Sequence, residues 1–414
     1  MDIGFFIWEY PPHLVGGLGT YAREITRIMR KRGHRISVFT LNVRKNPHEF
    51  SFPPFSIQDN IEVHRPYILD MQDILYILSD ELKRWGEGIN LFNDIFAYNF
   101  LSASKFINKL QYEENYDIIS IHDWLSSIAG ILIKRNTNFP VVFHVHSTEE
   151  LRSNLSNTIK SFEHKMGSMA EKIITVSYAM KQHMVEIGYP EEKIEVVWNG
   201  IDPSIFDPKR VKKELREKWK EHYKIDDKTK VILYVGRLTY IKGVENLVRS
   251  LPHVLREKEN VKLVIVGIGE ERDKLINLSY ELGIKDKVAI TSKWLSIEDL
   301  LAHYSIADVC VFPSLSEPFG IVSLEAMAME KPVVVGAKGV SGFAEQVINE
   351  GEGKCGVHIN PADPQDIAKG ILEVLNNEES AKEWGKNGRK RVVEMFTLEE
   401  TVDKTLKIYE ELIR

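Results

Sequence analysis

Val309-Cys310-Val311-Phe312-Pro313-Ser314, then Glu317-Pro318-Phe319-Gly320-Ile321-Val322-Ser323-Leu324-Glu325-Ala326-Met327-Ala328, reads as a strand, a tight turn and a helix. The opening four residues are a short apolar run closed by proline, the form a buried parallel strand takes. The helix begins near Gly320, and Val333–Val335 supplies the next strand, so the stretch is a βαβ unit of a parallel sheet. The backbone amides of Phe319, Gly320 and Ile321 lie at a fresh helix N-terminus, with donors and dipole turned outward. Glu317 falls in the turn and Glu325 about two turns into the helix, so both carboxylates can face one cleft. A carboxylate accepts paired hydroxyl donors well. As plain surface charges the two would need no explanation, but Glu325 is set in an otherwise apolar helix, where a charge requires a partner.

Working outward, the same alternation of apolar runs and amphipathic segments fills the chain. In the first half, strands are expected at Ile3–Trp8, Ile36–Thr40, Ile118–His122, Val141–His146, Ile173–Val176 and Glu195–Val197. The second half restarts with Val231–Val235, Lys262–Val266, Val288–Thr291, Val309–Phe312 and Val333–Val335. Between the first two strands, Thr20 to Arg32 reads as an amphipathic helix with basic residues in its last turn and Gly33 as its stop.

A chain of 414 residues exceeds the roughly 250–300 that one core serves. The turn-rich break Asn199-Gly200-Ile201-Asp202-Pro203 divides it into a domain over 1–200 and a second over 201–395. A last helix over 396–414 can pack back on the N-terminal domain. The charge-dense segment Asp207 to Lys230 is expected to be a solvated helix.

Composition narrows the function. Apolar residues make up 43% and charged residues 28%, the balance of a soluble globular protein. The formal charge of −6 lacks the basic excess of a nucleic-acid binder. Two cysteines, Cys310 and Cys355, make neither a disulfide framework nor a four-ligand zinc site, and a reduced, cytoplasmic setting is expected. The apolar start has no basic flank and reads as a first strand rather than a leader. No apolar run reaches membrane-spanning length, and peripheral membrane contact is left open.

Three further motifs sit where strands end. Val15-Gly16-Gly17-Leu18-Gly19-Thr20 is a glycine-rich turn into a helix, which suits an anion or a closely approaching ligand as well as it suits a bare tight turn. Val235-Gly236-Arg237-Leu238-Thr239-Tyr240-Ile241-Lys242-Gly243 places Arg237 and Lys242 at the carboxyl edge of a sheet, where open α/β folds bind ligands. Two fixed cations there can neutralise a departing diphosphate. His122-Asp123-Trp124 and His144-Val145-His146 both end expected strands of the first domain, where ligand groups belong. The paired histidines suit a metal in part, but no third ligand is evident, and none is expected to bind. Val266-Gly267-Ile268-Gly269-Glu270 imitates a dinucleotide fingerprint but has Arg272 at the third glycine, which argues against NAD.

In this order the motifs resemble the retaining GT-B glycosyltransferases, in particular the group of glycogen and starch synthases and sucrose-synthase-like enzymes, over essentially the whole chain. The resemblance implies an α/β fold of two Rossmann-like parallel-sheet domains facing each other across a cleft. It implies transfer of a hexosyl group, glucosyl first, from a nucleotide diphosphate sugar to a glucan or small saccharide, with no cofactor and no metal. Arg237 and Lys242 then lie on the donor diphosphate, Glu317 with the amides of Phe319, Gly320 and Ile321 cradles the sugar, and Glu325 holds the ribose. Gly16 and Gly17 border the diphosphate, the backbone carbonyl of His146 faces the anomeric carbon, and Asp123 and Asn199 line the sugar and acceptor side. No protein nucleophile is implied.

One departure stands out: bacterial glycogen synthases carry lysine two residues before the glycine pair, and this chain has Leu14. That favours relatives with other acceptors, and a lipid or cell-envelope acceptor is the second reading. A nucleotide-sugar-binding protein without turnover is the third, opposed by the intact set Arg237, Lys242, Glu317 and Glu325.

Overall fold

A computed structural model describes residues 1–14, 16–46, 49–78, 88–112, 115–151 and 156–413. The chain forms two compact units. One comprises Met1–Val176, Lys181–Val197 and Thr401–Arg414, and the other Ser177–Met180 and Trp198–Glu400. Most of the helix Leu398–Ile413 therefore belongs to the first unit.

In the first unit the strands are β1 (Asp2–Phe6), β2 (Arg35–Phe39), β3 (Arg44–Asn46), β4 (Glu49–Phe50), β5 (Phe55–Gln58), β6 (Ile61–His64), β7 (Ile118–His122), β8 (Val141–Val145), β9 (Lys172–Thr175) and β10 (Ile194–Val196). Eight of them make one sheet in the order β10-β9-β8-β7-β1-β2-β6-β5, parallel except for the β5–β6 pair. The second unit holds β11 (Lys230–Val235), β12 (Val261–Val266), β13 (Val288–Thr291), β14 (Val309–Phe312), β15 (Val333–Gly336) and β16 (Gly356–Ile359). These form an all-parallel sheet in the order β13-β12-β11-β14-β15-β16.

Both orders reverse direction once, between β1 and β7 in the first sheet and between β11 and β14 in the second. Chains leaving two such neighbours go to opposite faces of the sheet, which opens a crevice at the carboxyl ends. The core explains why those ends are rigid. Phe6 on β1 stacks on Phe39 of β2 with centroids 4.5 Å apart, and Phe106 of the helix Gly88–Leu110 meets Phe6 edge-on at 5.8 Å. The helix Gly17–Lys31 buries Tyr21, Ala22, Ile25, Ile28 and Met29 on one stripe.

Several expected elements differ in extent. The first strand stops at Phe6 rather than Trp8, and β8 stops at Val145, leaving His146 just beyond the sheet. The first helix begins at Gly17, three residues before Thr20. The segment 70–99, from which no strand is expected, contains the helix Gln72–Leu78 and the start of Gly88–Leu110; its part at 79–87 lies outside the described residues.

The charge-dense segment is the clearest correction. Only Lys213–His222 is α-helical, and it is anchored rather than freely solvated. Trp219 is buried, its Nε1 donates to Asp299 Oδ1 at 2.8 Å, and its ring lies 4.3 Å from His303. One tryptophan in a ten-residue helix otherwise rich in charge is invisible to composition but sets the helix in place. Trp219→Ala is expected to cost about 3–5 kcal/mol in denaturant unfolding, whereas exposed Glu217→Ala on the same helix costs less than about 0.5 kcal/mol.

Candidate active site

In the second unit the reversal between β11 and β14 brings two loops together. After β11 the chain turns through Gly236 and Arg237 to a short 3-10 turn at Tyr240–Lys242. After β14 it runs through Pro313 to Glu317. The loops are joined by Leu315 N–H to the Ile241 carbonyl at 2.8 Å. Position 243 admits only glycine: its φ is +66°, and a Cβ there would stand 2.0 Å from the Pro313 carbonyl oxygen. Across this junction Lys242 Nζ donates to Glu317 Oε2 at 2.5 Å, and Ser314 Oγ donates to the same oxygen at 3.2 Å. Glu317 is buried yet its Oε1 has no hydrogen-bond partner among the described residues.

The two cations are not equivalent. Lys242 is committed to Glu317, whereas Arg237 is exposed and its guanidinium has no partner among the described residues. Its backbone is fixed from beneath, where buried Tyr234 donates to the Arg237 carbonyl at 2.8 Å. The result is an exposed guanidinium on a held main chain.

Beyond Glu317 the helix Ile321–Ala328 starts from Gly320, which has φ +85° and packs against Phe343: a Cβ would meet that ring at 2.1 Å. Gln346 donates to the Phe319 carbonyl at 2.8 Å and Ser177 Oγ to the Pro318 carbonyl at 2.7 Å, so the turn is held on both sides. Glu325 is the fifth helical residue, a little over one turn in rather than two. The partner its setting demanded is Tyr304, whose hydroxyl donates to Glu325 Oε2 at 2.7 Å. Oε1 has no partner among the described residues. Burial is the main cause that pushes the Glu325 carboxyl up to about 7, against which the Tyr304 hydrogen bond works.

In the first unit the reversal between β1 and β7 serves the same purpose. The glycine turn after β1 opens the helix at Gly17, with Gly16 as its N-cap. Leu14, where the relatives' lysine was expected, packs over the helix, within 2.6 Å of where a Gly19 Cβ would lie. Glu9 Oε2 accepts from the Gly16 N–H at 3.0 Å, so one of the helix's outward donors is already occupied. A Cβ at Gly16 or Gly17 would meet nothing within 4 Å, so room, not packing, is what these glycines provide.

After β7, Asp123 adopts φ +54°, a costly angle for a non-glycine residue, and its Oδ1 accepts from the His146 N–H at 2.7 Å. Tyr21, from the first helix, lies edge-on to the His146 ring at 4.7 Å. Gly16, Gly17, Asp123 and His146 thus gather at one sheet edge. Asn199, grouped with Asp123 from the sequence, is buried and belongs to the second unit. His122, marked in the sequence at a strand end but not grouped with the His144 and His146 pair, is the third histidine of this cluster. Its ring stacks on His144 at 4.3 Å and on His146 at 5.5 Å, and burial lowers the proton affinity of all three.

The glycines of the false dinucleotide motif have a packing role. A Cβ at Gly267 would lie 1.9 Å from the Gly236 carbonyl oxygen, and one at Gly269 would lie 2.2 Å from that of Leu238. They let the loop after β12 cross under the Arg237 loop. Tyr304, Gln346 and Tyr21 were absent from the sequence reading because each acts through a tertiary contact with no local spacing to mark it.

The raised Glu325 carboxyl has a consequence for stability. Unfolded, it ionises near its ordinary 4.5; folded, near 7. Between those values the folded state holds the proton and the unfolded state does not, so stability falls as pH rises and levels off above the folded value. Glu325→Gln removes this term. Its unfolding free energy is expected to match the wild type at acid pH and exceed it by about 2–3 kcal/mol above neutrality, read by urea unfolding across pH.

Comparison with known proteins agrees with this geometry. The family described as Glycosyltransferase Family 4 matches residues 15–205, and that described as Glycosyl transferases group 1 matches residues 215–391. The chain is 27% identical to a glycogen synthase of Mycobacterium tuberculosis over 99% of this chain and 94% of that protein. In fold it matches the sucrose-phosphate synthase of Thermosynechococcus elongatus with a TM-score of 0.79 at 22% identity, over 99% of this chain and 98% of that one. It is 32% identical to an uncharacterized glycosyltransferase of Methanocaldococcus jannaschii over 99% of this chain and 98% of that protein, and it belongs with them among the glycosyltransferases of GT-B fold.

Proposed function

We propose that the chain is a retaining, metal-independent hexosyltransferase that moves a glucosyl group from a nucleotide diphosphate sugar to a glucan or small saccharide. One observation carries the reading. At the crevice of the second unit Arg237, whose guanidinium is unpaired among the described residues, shares the strand-end loop with Lys242, and two carboxylates, Glu317 and Glu325, each keep one oxygen unengaged by those residues. Cations suit a diphosphate and open carboxylate oxygens suit hydroxyls. The likeness to a glycogen synthase supports glucose as the sugar and glucan as the acceptor.

In this scheme Arg237 and Lys242 neutralise the charge that gathers on the diphosphate as the anomeric C–O bond breaks. Glu317 and the amides of Phe319, Gly320 and Ile321 hold the sugar hydroxyls, and Glu325 holds the ribose. Gly16 and Gly17 leave room beside the diphosphate. His146, Asp123 and Asn199 take the sugar and acceptor side. The acceptor oxygen bonds to the anomeric carbon on the face the diphosphate leaves, and its proton passes to a diphosphate oxygen. No side chain acts as nucleophile, and the protein's contribution is charge and position.

A second reading keeps the donor site and changes the acceptor to a lipid-linked sugar. It is favoured by exposed apolar side chains in the first unit, among them Tyr67, Leu69, Ile74, Ile77 and Leu91.

The test is nucleotide diphosphate release from ADP-, UDP- and GDP-sugars, alone and with glycogen, maltooligosaccharides or a lipid-linked sugar. Release from a glucose donor is expected to rise at least tenfold with glucan. A rise with the lipid acceptor alone selects the second reading, and no release from any donor refutes both. The double variant Arg237→Ala, Lys242→Ala is expected to lose about a thousandfold or more in turnover with its circular dichroism unchanged. Retained turnover would show that these cations do not serve the diphosphate.

A further inference from the structure

Behind His146 lies an unbroken chain of buried polar groups that the proposed transfer does not use. His146 Nε2 meets His122 Nδ1 at 3.2 Å, and His122 Nε2 meets Ser120 Oγ at 2.8 Å. Ser120 Oγ accepts from the Tyr409 hydroxyl at 2.8 Å, and Tyr409 Oη meets His144 Nε2 at 2.7 Å. Ser120, His122, His144 and Tyr409 are all essentially inaccessible to solvent. Tyr409 comes from the helix Leu398–Ile413 and stands 265 positions from His144.

The direction of one bond fixes all the others, because each hydroxyl and each neutral ring has one proton to give. Tyr409 spends its proton on Ser120, so His144 Nε2 must be its donor. Ser120 accepts from Tyr409, and among the described residues His122 Nε2 is the one acceptor left for its own buried proton, which therefore goes there. His122 therefore carries its proton on Nδ1 and gives it to His146 Nε2. With Nε2 an acceptor, the neutral His146 ring must hold its proton on Nδ1. The far end agrees. His144 Nδ1 is buried without a partner among the described residues, and in this arrangement it is a bare lone pair rather than a more costly orphaned N–H. Burial keeps all three rings neutral, so the chain is not broken by protonation.

His146 itself is half-buried, and among the described residues its Nδ1 has no hydrogen-bond partner. We propose that Tyr409 is a positioning residue that, through Ser120 and His122, locks His146 in its Nδ1–H tautomer and so presents a neutral hydrogen-bond donor to a hydroxyl oxygen of the transferred sugar. The part that concerns the sugar rests on the proposed function. The part that concerns the tautomer does not.

The experiment is a long-range 1H–15N correlation spectrum of the full chain labelled at histidine, with His146 assigned by His146→Gln, alongside kcat and KM for the donor. Wild-type His146 is expected to show a single Nδ1–H tautomer. Tyr409→Phe frees Ser120 to accept as well as donate, and Ser120→Ala removes the relay without altering the last helix. Both are expected to give mixed tautomers at His146, with kcat about three- to tenfold lower and donor KM little changed. A wild-type Nε2–H tautomer, or an Nδ1–H tautomer that neither variant disturbs, overturns the proposal. Mixed tautomers with unchanged kcat would leave the relay standing and remove His146 from the sugar site, a failure of the functional reading alone.

Discussion

Parallel strands all finish on the same edge of their sheet, and where strand order reverses the following segments part to opposite faces. Each of the two sheets has one such reversal, at β1/β7 and at β11/β14. The residues that matter are the ones leaving those strands: the glycine turn and Asp123 in the first unit, Arg237, Lys242 and Glu317 in the second. Strands of four to six residues with buried valine, isoleucine and phenylalanine cannot shift register without exposing that surface. Polar groups at their ends inherit that rigidity.

Within the second unit the site is held by competing electrostatic demands. Lys242 and Glu317 form a half-buried pair, and Ser314 adds a second donor to the same carboxylate oxygen. Removing either charge would leave the other poorly compensated, so the pair keeps the two loops in contact. Among the described residues Glu325 has no cation against it, only the Tyr304 hydroxyl, and its raised carboxyl records the resulting cost. Stability given up at such a position is a common mark of a binding or catalytic group. Arg237 is the reverse case, a charge kept in solvent on a main chain fixed by Tyr234.

Much of this was legible in the sequence because the relevant elements obey local rules. Val309–Phe312 and Val288–Thr291 have the extents their apolar runs predict, and the turns after β1, β11 and β14 are marked by glycine or proline. What escaped acts across the fold. β16 is a short run containing glycine and histidine, with no periodicity to separate it from a loop. Tyr304 reads as one more residue of an apolar helix until its hydroxyl is seen on Glu325. Trp219 is lost among lysines and glutamates, and the link from Tyr409 to His144 joins opposite ends of the chain. The glycines at 267 and 269 show the converse: a spacing that imitates a nucleotide motif can arise from two loops crossing closely.

The central claim is that fixed cations at the strand ends of the second unit hold a diphosphate without help from a metal. Titration calorimetry with UDP, ADP and GDP in the presence of EDTA tests it most directly, on the wild type and on Arg237→Ala. The account predicts saturable binding of at least one of them under chelation, weakened tenfold or more by the substitution. Binding that appears only after a divalent cation is added, or that Arg237→Ala leaves unchanged, would contradict it.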